Sequence, residues 1–220
     1  LQHLKALSEL QTLSDSSMVN ELITHLTKAS APVPSVEAIL HAVIPYKFVD
    51  HTHADAVVAI TNSVNGEKVI REIYGDLVII IPYIMPGFDL SKLCAEHLKT
   101  GLTATTIGIV LLNHGIFSFG NTAVESYQRM IELVSLAENY LKENAKLTPT
   151  SYTSEAVKNP RLEIADLRKR VSNIVGFPII LKRYMDPKSM EFCNRPDLAI
   201  LSQQGPATPD HVIRTKRLPM

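Results

Sequence analysis

Eight histidines occur in the 220 residues, and three of them stand where imidazoles can converge. His51 and His53 flank Thr52, and residues i and i+2 of a strand point to the same face. His114 ends a second apolar run, Gly108-Ile109-Val110-Leu111-Leu112-Asn113, and is followed by Gly115. Three neutral imidazoles at strand ends, with coordination positions left over, are the donor set of a catalytic rather than a structural zinc site. The same residues also read as surface or hydrogen-bonded core histidines, and their types and spacing alone leave both readings open.

A carboxylate lies nearby in sequence. Glu37 and His41 are four apart in Pro34-Ser35-Val36-Glu37-Ala38-Ile39-Leu40-His41, so on a helix they share a face and can touch. Asp50 and Asp55 flank the histidine pair and could orient a ligand imidazole. Either also suits a turn or a cap, the preferred reading for Asp50. Other chemistries lack their residues: the glycines form no phosphate-cradling loop and no dinucleotide fingerprint, and no Ser or Cys sits in a nucleophile motif.

The elements that must position these residues follow from periodicity and punctuation. Ser14-Asp15 opens an amphipathic helix that ends before Ala31-Pro32, and Ser35 is a candidate N-cap for a helix over Val36–Val43. Phe48–Thr52 reads as a strand, followed by helices over His53–Thr61 and Glu67–Tyr74. Leu77–Ile81, Ile107–Leu112 and Ile116–Phe119 read as buried strands, with a helix over Leu90–Lys99 between the first two. Asn121 is expected to cap a long helix to about Lys146, with Tyr127, Ile131, Val134 and Leu141 facing inward. Thr148-Pro149-Thr150-Ser151 is the candidate linker; a helix over Leu162–Val175 and a strand over Phe177–Leu181 follow it. The irregular alternation of helices and strands predicts a layered α/β or α+β domain.

Composition bounds the rest. A chain of this length buries roughly 70% of its unfolded surface, enough for one sizeable core and a smaller unit. Lys plus Arg and Asp plus Glu are both 22, a balance that argues against a nucleic-acid partner. No apolar run reaches the ~18 residues of a membrane span, and no signal-peptide pattern is found. Cys94 and Cys193 show no pairing pattern, which suits a reducing, cytoplasmic compartment.

Taken in order, Pro34-Ser35-Val36-Glu37, His51-Thr52-His53-Ala54-Asp55 and Asn113-His114-Gly115 resemble the class II aldolase/adducin family, with the spacing of the fuculose and rhamnulose 1-phosphate aldolases. Lys47–Asn62, Gly108–Gly120, Arg195-Pro196-Asp197 and Gly205–Lys216 look closer still to the aldolase half of proteins that continue into a short-chain dehydrogenase. The resemblance covers nearly the whole chain.

It implies an α/β fold: a three-layer α/β/α domain with a central, mainly antiparallel sheet over residues 1–150. Residues 151–220 would be the C-terminal extension of the fusion subgroup, with a short-chain dehydrogenase domain beyond it. His51, His53 and His114 become ligands of Zn2+ or another divalent metal, Glu37 the acid/base, and His41 a structural neighbour. The implied activity is that of a lyase: retro-aldol cleavage of a ketose or its 1-phosphate, in which the metal stabilises an enediolate and no lysine Schiff base is needed. The alternatives are a ketopentose-phosphate 4-epimerase and a non-catalytic, adducin-like interaction module. A sugar or sugar-phosphate substrate is the expected small-molecule partner, and a homotetramer the expected assembly, with Tyr74 or Tyr83 reaching a neighbour's site or packing in the core. The family's Gly-Asn-Xaa-Ser-type phosphate loop has no match from Leu1 onward and is expected upstream of that residue.

Overall fold

The computed structural model describes residues 1–145, 160–214 and 217–218. They fall into two compact units, Leu1–Ala145 with Pro206–Arg217 and Lys146–Gly205 with Leu218–Met220.

The first unit is built on a four-stranded sheet of order β1-β4-β3-β2, comprising β1 (Phe48–Thr52), β2 (Val78–Ile81), β3 (Gly108–Leu111) and β4 (Gly115–Gly120). β4 runs antiparallel to both β1 and β3, and β2 lies parallel to β3, so the sheet is mainly antiparallel. Alternation along the strands divides its side chains between two apolar layers. Ile79, Ile81, Ile109, Leu111, Phe117 and Phe119 pack with α3 (Ala38–Val43) and α6 (Phe88–Gly101). Val78, Val110 and Ile116 face the other way, onto α4 (Asp55–Thr61), α5 (Gly66–Tyr74) and α7 (Ala123–Asn144). The result is the expected α/β/α sandwich. Each fully buried Leu, Ile or Phe in it contributes about 1.5–3 kcal/mol of burial free energy. A third cluster joins α1 (Gln2–Ser8) and α2 (Asp15–Thr24) to Ile39 and Phe88.

Within the first unit, three local expectations need correction. The inward face of α7 is Ser126, Met130, Leu133 and Ala137, whereas Tyr127 and Ile131 are 64% and 50% exposed. The buried stripe lies about one residue round the helix from the one expected, and Val134 and Leu141 sit at its half-buried edge. The cap of α7 is Thr122, whose hydroxyl accepts from the Glu125 N–H, one residue after Asn121. Ser35 accepts from the N–H of Glu37, but α3 starts only at Ala38, which leaves Glu37 at the helix's N-cap.

In the second unit, α8 (Arg161–Val175), α9 (Pro187–Cys193) and α10 (Leu198–Leu201) contain no buried residue. Phe177–Leu181 forms no strand. Pro178 lacks an N–H for a ladder, and Ile179 instead accepts from Arg168 Nε at 2.7 Å and donates to Ser172 Oγ at 3.2 Å, folding back on α8. The candidate linker Thr148–Ser151 lies outside the described residues. The short α11 (Pro209–Arg214) belongs to the first unit. Both cysteines are free, and no described helix is long and apolar enough to cross a membrane.

Candidate metal centre

His51 sits on β1 opposite Phe117 of β4 and stacks on that ring, with centroids 4.0 Å apart. Its Nδ1–H donates to the Ile116 carbonyl oxygen at 3.0 Å. A carbonyl oxygen can only accept, so the hydrogen is on Nδ1 and the lone pair on Nε2. Burial pushes this imidazole down to about 4, which keeps it neutral near pH 7.

His53 follows directly on the end of β1. Its Nδ1 lies 2.9 Å from Asp210 Oδ2, again an acceptor-only partner, so a hydrogen sits on Nδ1. The two Nε2 atoms face each other at 3.0 Å. When both rings are neutral with the hydrogen on Nδ1, the two Nε2 lone pairs face each other across that gap.

His114 is in the tight turn between β3 and β4, and is buried. Asn113 takes the left-handed conformation there (φ 59°), which Asn tolerates because its side chain can bond locally. Its Nδ2 donates to Asn62 Oδ1 at 2.8 Å and to the Thr61 carbonyl at 3.2 Å, tying the turn to the end of α4. Gly115 is the close-approach residue. A Cβ there would meet the Thr52 carbonyl oxygen at 2.7 Å and His51 Cε1 and His53 Cδ2 at 3.0 Å, so only hydrogen fits between the strands beside the imidazoles.

Glu37 reaches in from the N-cap of α3. Its Oε1 is 2.9 Å from His114 Nε2 and 3.5 Å from His51 Nε2. The closer approach is not aligned as a hydrogen bond, and Oε1 is buried without any hydrogen-bond partner. Burial would raise the carboxyl; the imidazoles of His114, His51 and His53 together outweigh it and hold the group below the ordinary carboxylate value.

The ligand atoms of Glu37, His51, His53 and His114 all lie within 4.8 Å of one another. Lone pairs that face each other, together with a buried carboxylate oxygen lacking a donor, are costly unless a cation lies among them. The donor set, three imidazole nitrogens and one carboxylate oxygen, suits a divalent transition metal. One other His/Glu group occurs among the described residues, His3, Glu21 and His25. There the two rings stack face to face with centroids 3.4 Å apart, His3 Nε2 lies 2.9 Å from Glu21 Oε2, and His25 Nδ1 already bonds the Glu21 carbonyl at 2.8 Å.

All four sequence candidates are thus brought together, while their neighbours go elsewhere. His41 turns its ring edge to Phe117, with centroids 5.2 Å apart. Asp50 accepts from Ser126 Oγ at 2.6 Å, and Asp55 is an exposed first-turn residue of α4. The second carboxylate that reaches the histidines, besides Glu37, is Asp210, which no spacing rule could pair with His53 across 157 residues. Its sequence signal is only local: Thr208-Pro209-Asp210 is a helix start with Pro at the first position. Tyr74 is a core residue whose hydroxyl donates to the Leu133 carbonyl at 2.8 Å, and burial pushes its ionisation upward. Tyr83 is half exposed and lines a cavity of about 420 Å³ with Met85, Asn113, His114, Thr208 and Val212.

Known proteins are similar to this chain in sequence and fold. The class II aldolase and adducin N-terminal domain matches residues 5–141, and the second domain of class II aldolases matches 159–220. The uncharacterized oxidoreductase YuxG of Bacillus subtilis (strain 168) is 32% identical over 232 residues, covering 100% of this chain and 32% of YuxG. The chain therefore spans about a third of the length of the curated relative it matches. The N-terminal class II aldolase domain of a conserved protein from Thermoplasma acidophilum superposes with a TM-score of 0.58 at 41% identity, over 64% of this chain and 63% of that one. By family match, fold and the convergence of Glu37 with three histidines, the chain belongs to the class II aldolase and adducin family.

Proposed function

We propose that this chain is the zinc-dependent aldolase domain of a lyase that cleaves a ketose or its 1-phosphate. The products are dihydroxyacetone phosphate, or a similar fragment, and an aldehyde. The observation that carries the proposal is the buried Glu37 Oε1, without a hydrogen bond, among three imidazoles whose ligand atoms lie within 4.8 Å.

In this reading His51, His53 and His114 hold the ion as neutral donors, so that its double positive charge is undiminished. The bound ion would polarise the substrate carbonyl and balance the negative charge left when the adjacent carbon–carbon bond breaks. Glu37 moves the proton. Its depressed ionisation makes it a carboxylate at neutral pH, and from the N-cap of α3 it stands beside His114 and His51, where it can pass a proton to or from the reacting carbon. The cavity walled by Tyr83, Met85 and Val212 and bordered by His114 is the space for substrate.

The assembly we propose is a homotetramer; the exposed apolar stripe of Val124, Tyr127 and Ile131 on α7 supports self-association. In the full-length protein an oxidoreductase domain would follow, in keeping with the name and greater length of YuxG.

The test uses the full-length protein. Stoichiometric zinc by elemental analysis, with aldehyde released from a ketose 1-phosphate, is the expected result. Epimerised sugar without free aldehyde would replace the reading with a 4-epimerase. Absence of both metal and turnover would leave an adducin-like module.

A further inference from the structure

The three imidazoles are not oriented alike. His51 donates its Nδ1–H to a backbone carbonyl of the adjacent strand, and His114 Nδ1 is buried without a hydrogen-bond partner. At Nδ1, His53 alone of the three is met by a carboxylate, Asp210 Oδ2, at 2.9 Å. Free imidazole can place its hydrogen on either nitrogen, and only the form with Nδ1–H leaves Nε2 able to bind a cation. A carboxylate on Nδ1 selects that form, fixes the ring plane and makes Nε2 a better donor.

The segment carrying Asp210 is seated close to the site. The Asn62 amide donates to the Ala207 carbonyl at 2.9 Å, and Thr208 is 6% exposed. Asn62 Oδ1 in turn accepts from Asn113, the neighbour of His114. One residue at the end of α4 therefore holds both the turn that carries one imidazole and the segment that steers another.

From this geometry we infer that Asp210 is a positioning residue for the metal centre: it holds the Nδ1 hydrogen of His53 and so presents the Nε2 lone pair to the cation. The inference rests on the metal-binding reading above. Residues 206–214 are then part of the active site, although the sequence places them beyond the second unit.

Two substitutions test it. Asp210→Ala removes the acceptor, and Asp210→Asn keeps a neutral one; the side chain is 54% exposed, so neither should prevent folding. Zinc affinity, read by competition with a chromophoric chelator, should fall by about 10–100-fold in Asp210→Ala and by less in Asp210→Asn. In the metal-free protein, long-range 15N–1H spectra should show His53 with its hydrogen on Nδ1 in the parent and redistributed toward Nε2 in Asp210→Ala. Unchanged zinc affinity and an unchanged tautomer in Asp210→Ala would overturn the role of Asp210 and leave the metal reading intact. A parent protein that binds zinc no better than His114→Ala would overturn the metal reading, and this inference with it.

Discussion

His51 and His53 meet nitrogen to nitrogen at 3.0 Å, yet one is steered by the backbone of the neighbouring strand and the other by a side chain 157 residues further along the chain. The first support forms with the sheet: once Phe117 pairs with His51, the Ile116 carbonyl is in place. The second forms only when a distant segment seats against the end of α4. One wall of the site is thus built into the core, where its register cannot slip without turning apolar side chains to water. The other is an attachment that can be altered without disturbing the sheet.

The largest expected effect comes from removing what both walls serve. Glu37→Gln keeps the shape and removes the basicity, so turnover should fall by about 10²–10⁴-fold while zinc stays bound. His53→Ala should lose both zinc and activity. Steady-state kinetics with elemental analysis separates the two, and wild-type turnover in Glu37→Gln would deny the carboxylate its role.

Gly115→Ala strikes both imidazoles together. The new methyl would meet the Thr52 carbonyl oxygen at 2.7 Å, a backbone atom that cannot swing aside. A loss of about 1–3 kcal/mol in urea unfolding is expected, together with loss of zinc. Retention of parental zinc affinity would show that the core wall has more give than its packing suggests.

The smaller effect is one of pH and belongs to the strand-held ring. The folded His51 refuses a proton until about 4, whereas its unfolded form accepts one near 6.5. The unfolded state therefore binds more protons in that window, and the metal-free protein should lose stability as pH falls from about 6.5 to about 4. The loss attributable to His51 is on the order of 2–3 kcal/mol. Parallel urea titrations of the parent and His51→Gln should show a shallower acid slope in the variant; equal slopes would remove His51 from the account.

How much of this is legible in the sequence depends on how local the signal is. The period-two pattern of β1 and the buried run before His114 place all three imidazoles, because strand alternation and apolar length act within a few residues. Glu37 is legible as well, although its helix starts one residue after it. The face of α7 is ambiguous by spacing, because Tyr127 and Ile131 lie about 100° round from Met130 and Leu133, and both stripes keep helical spacing. Phe177–Leu181 has the apolar content of a strand, but Pro178 and the bonds of Ile179 to α8 leave it no ladder. Asp210 is out of reach because the contact exists only in three dimensions.

The distance along the chain between Gly115 and Asp210 sets a timetable. A ribosome adding about 5–20 residues per second needs roughly 5–20 s to pass from the His114 turn to the carboxylate that steers His53. During that interval the sheet can assemble and the strand-held imidazole can point inward, while His53 is still at liberty to choose its tautomer. A cation arriving early would meet an unfinished nest with one donor wavering. If the four residues hold a cation as proposed, its capture would be weighted toward chains whose synthesis has run past residue 210.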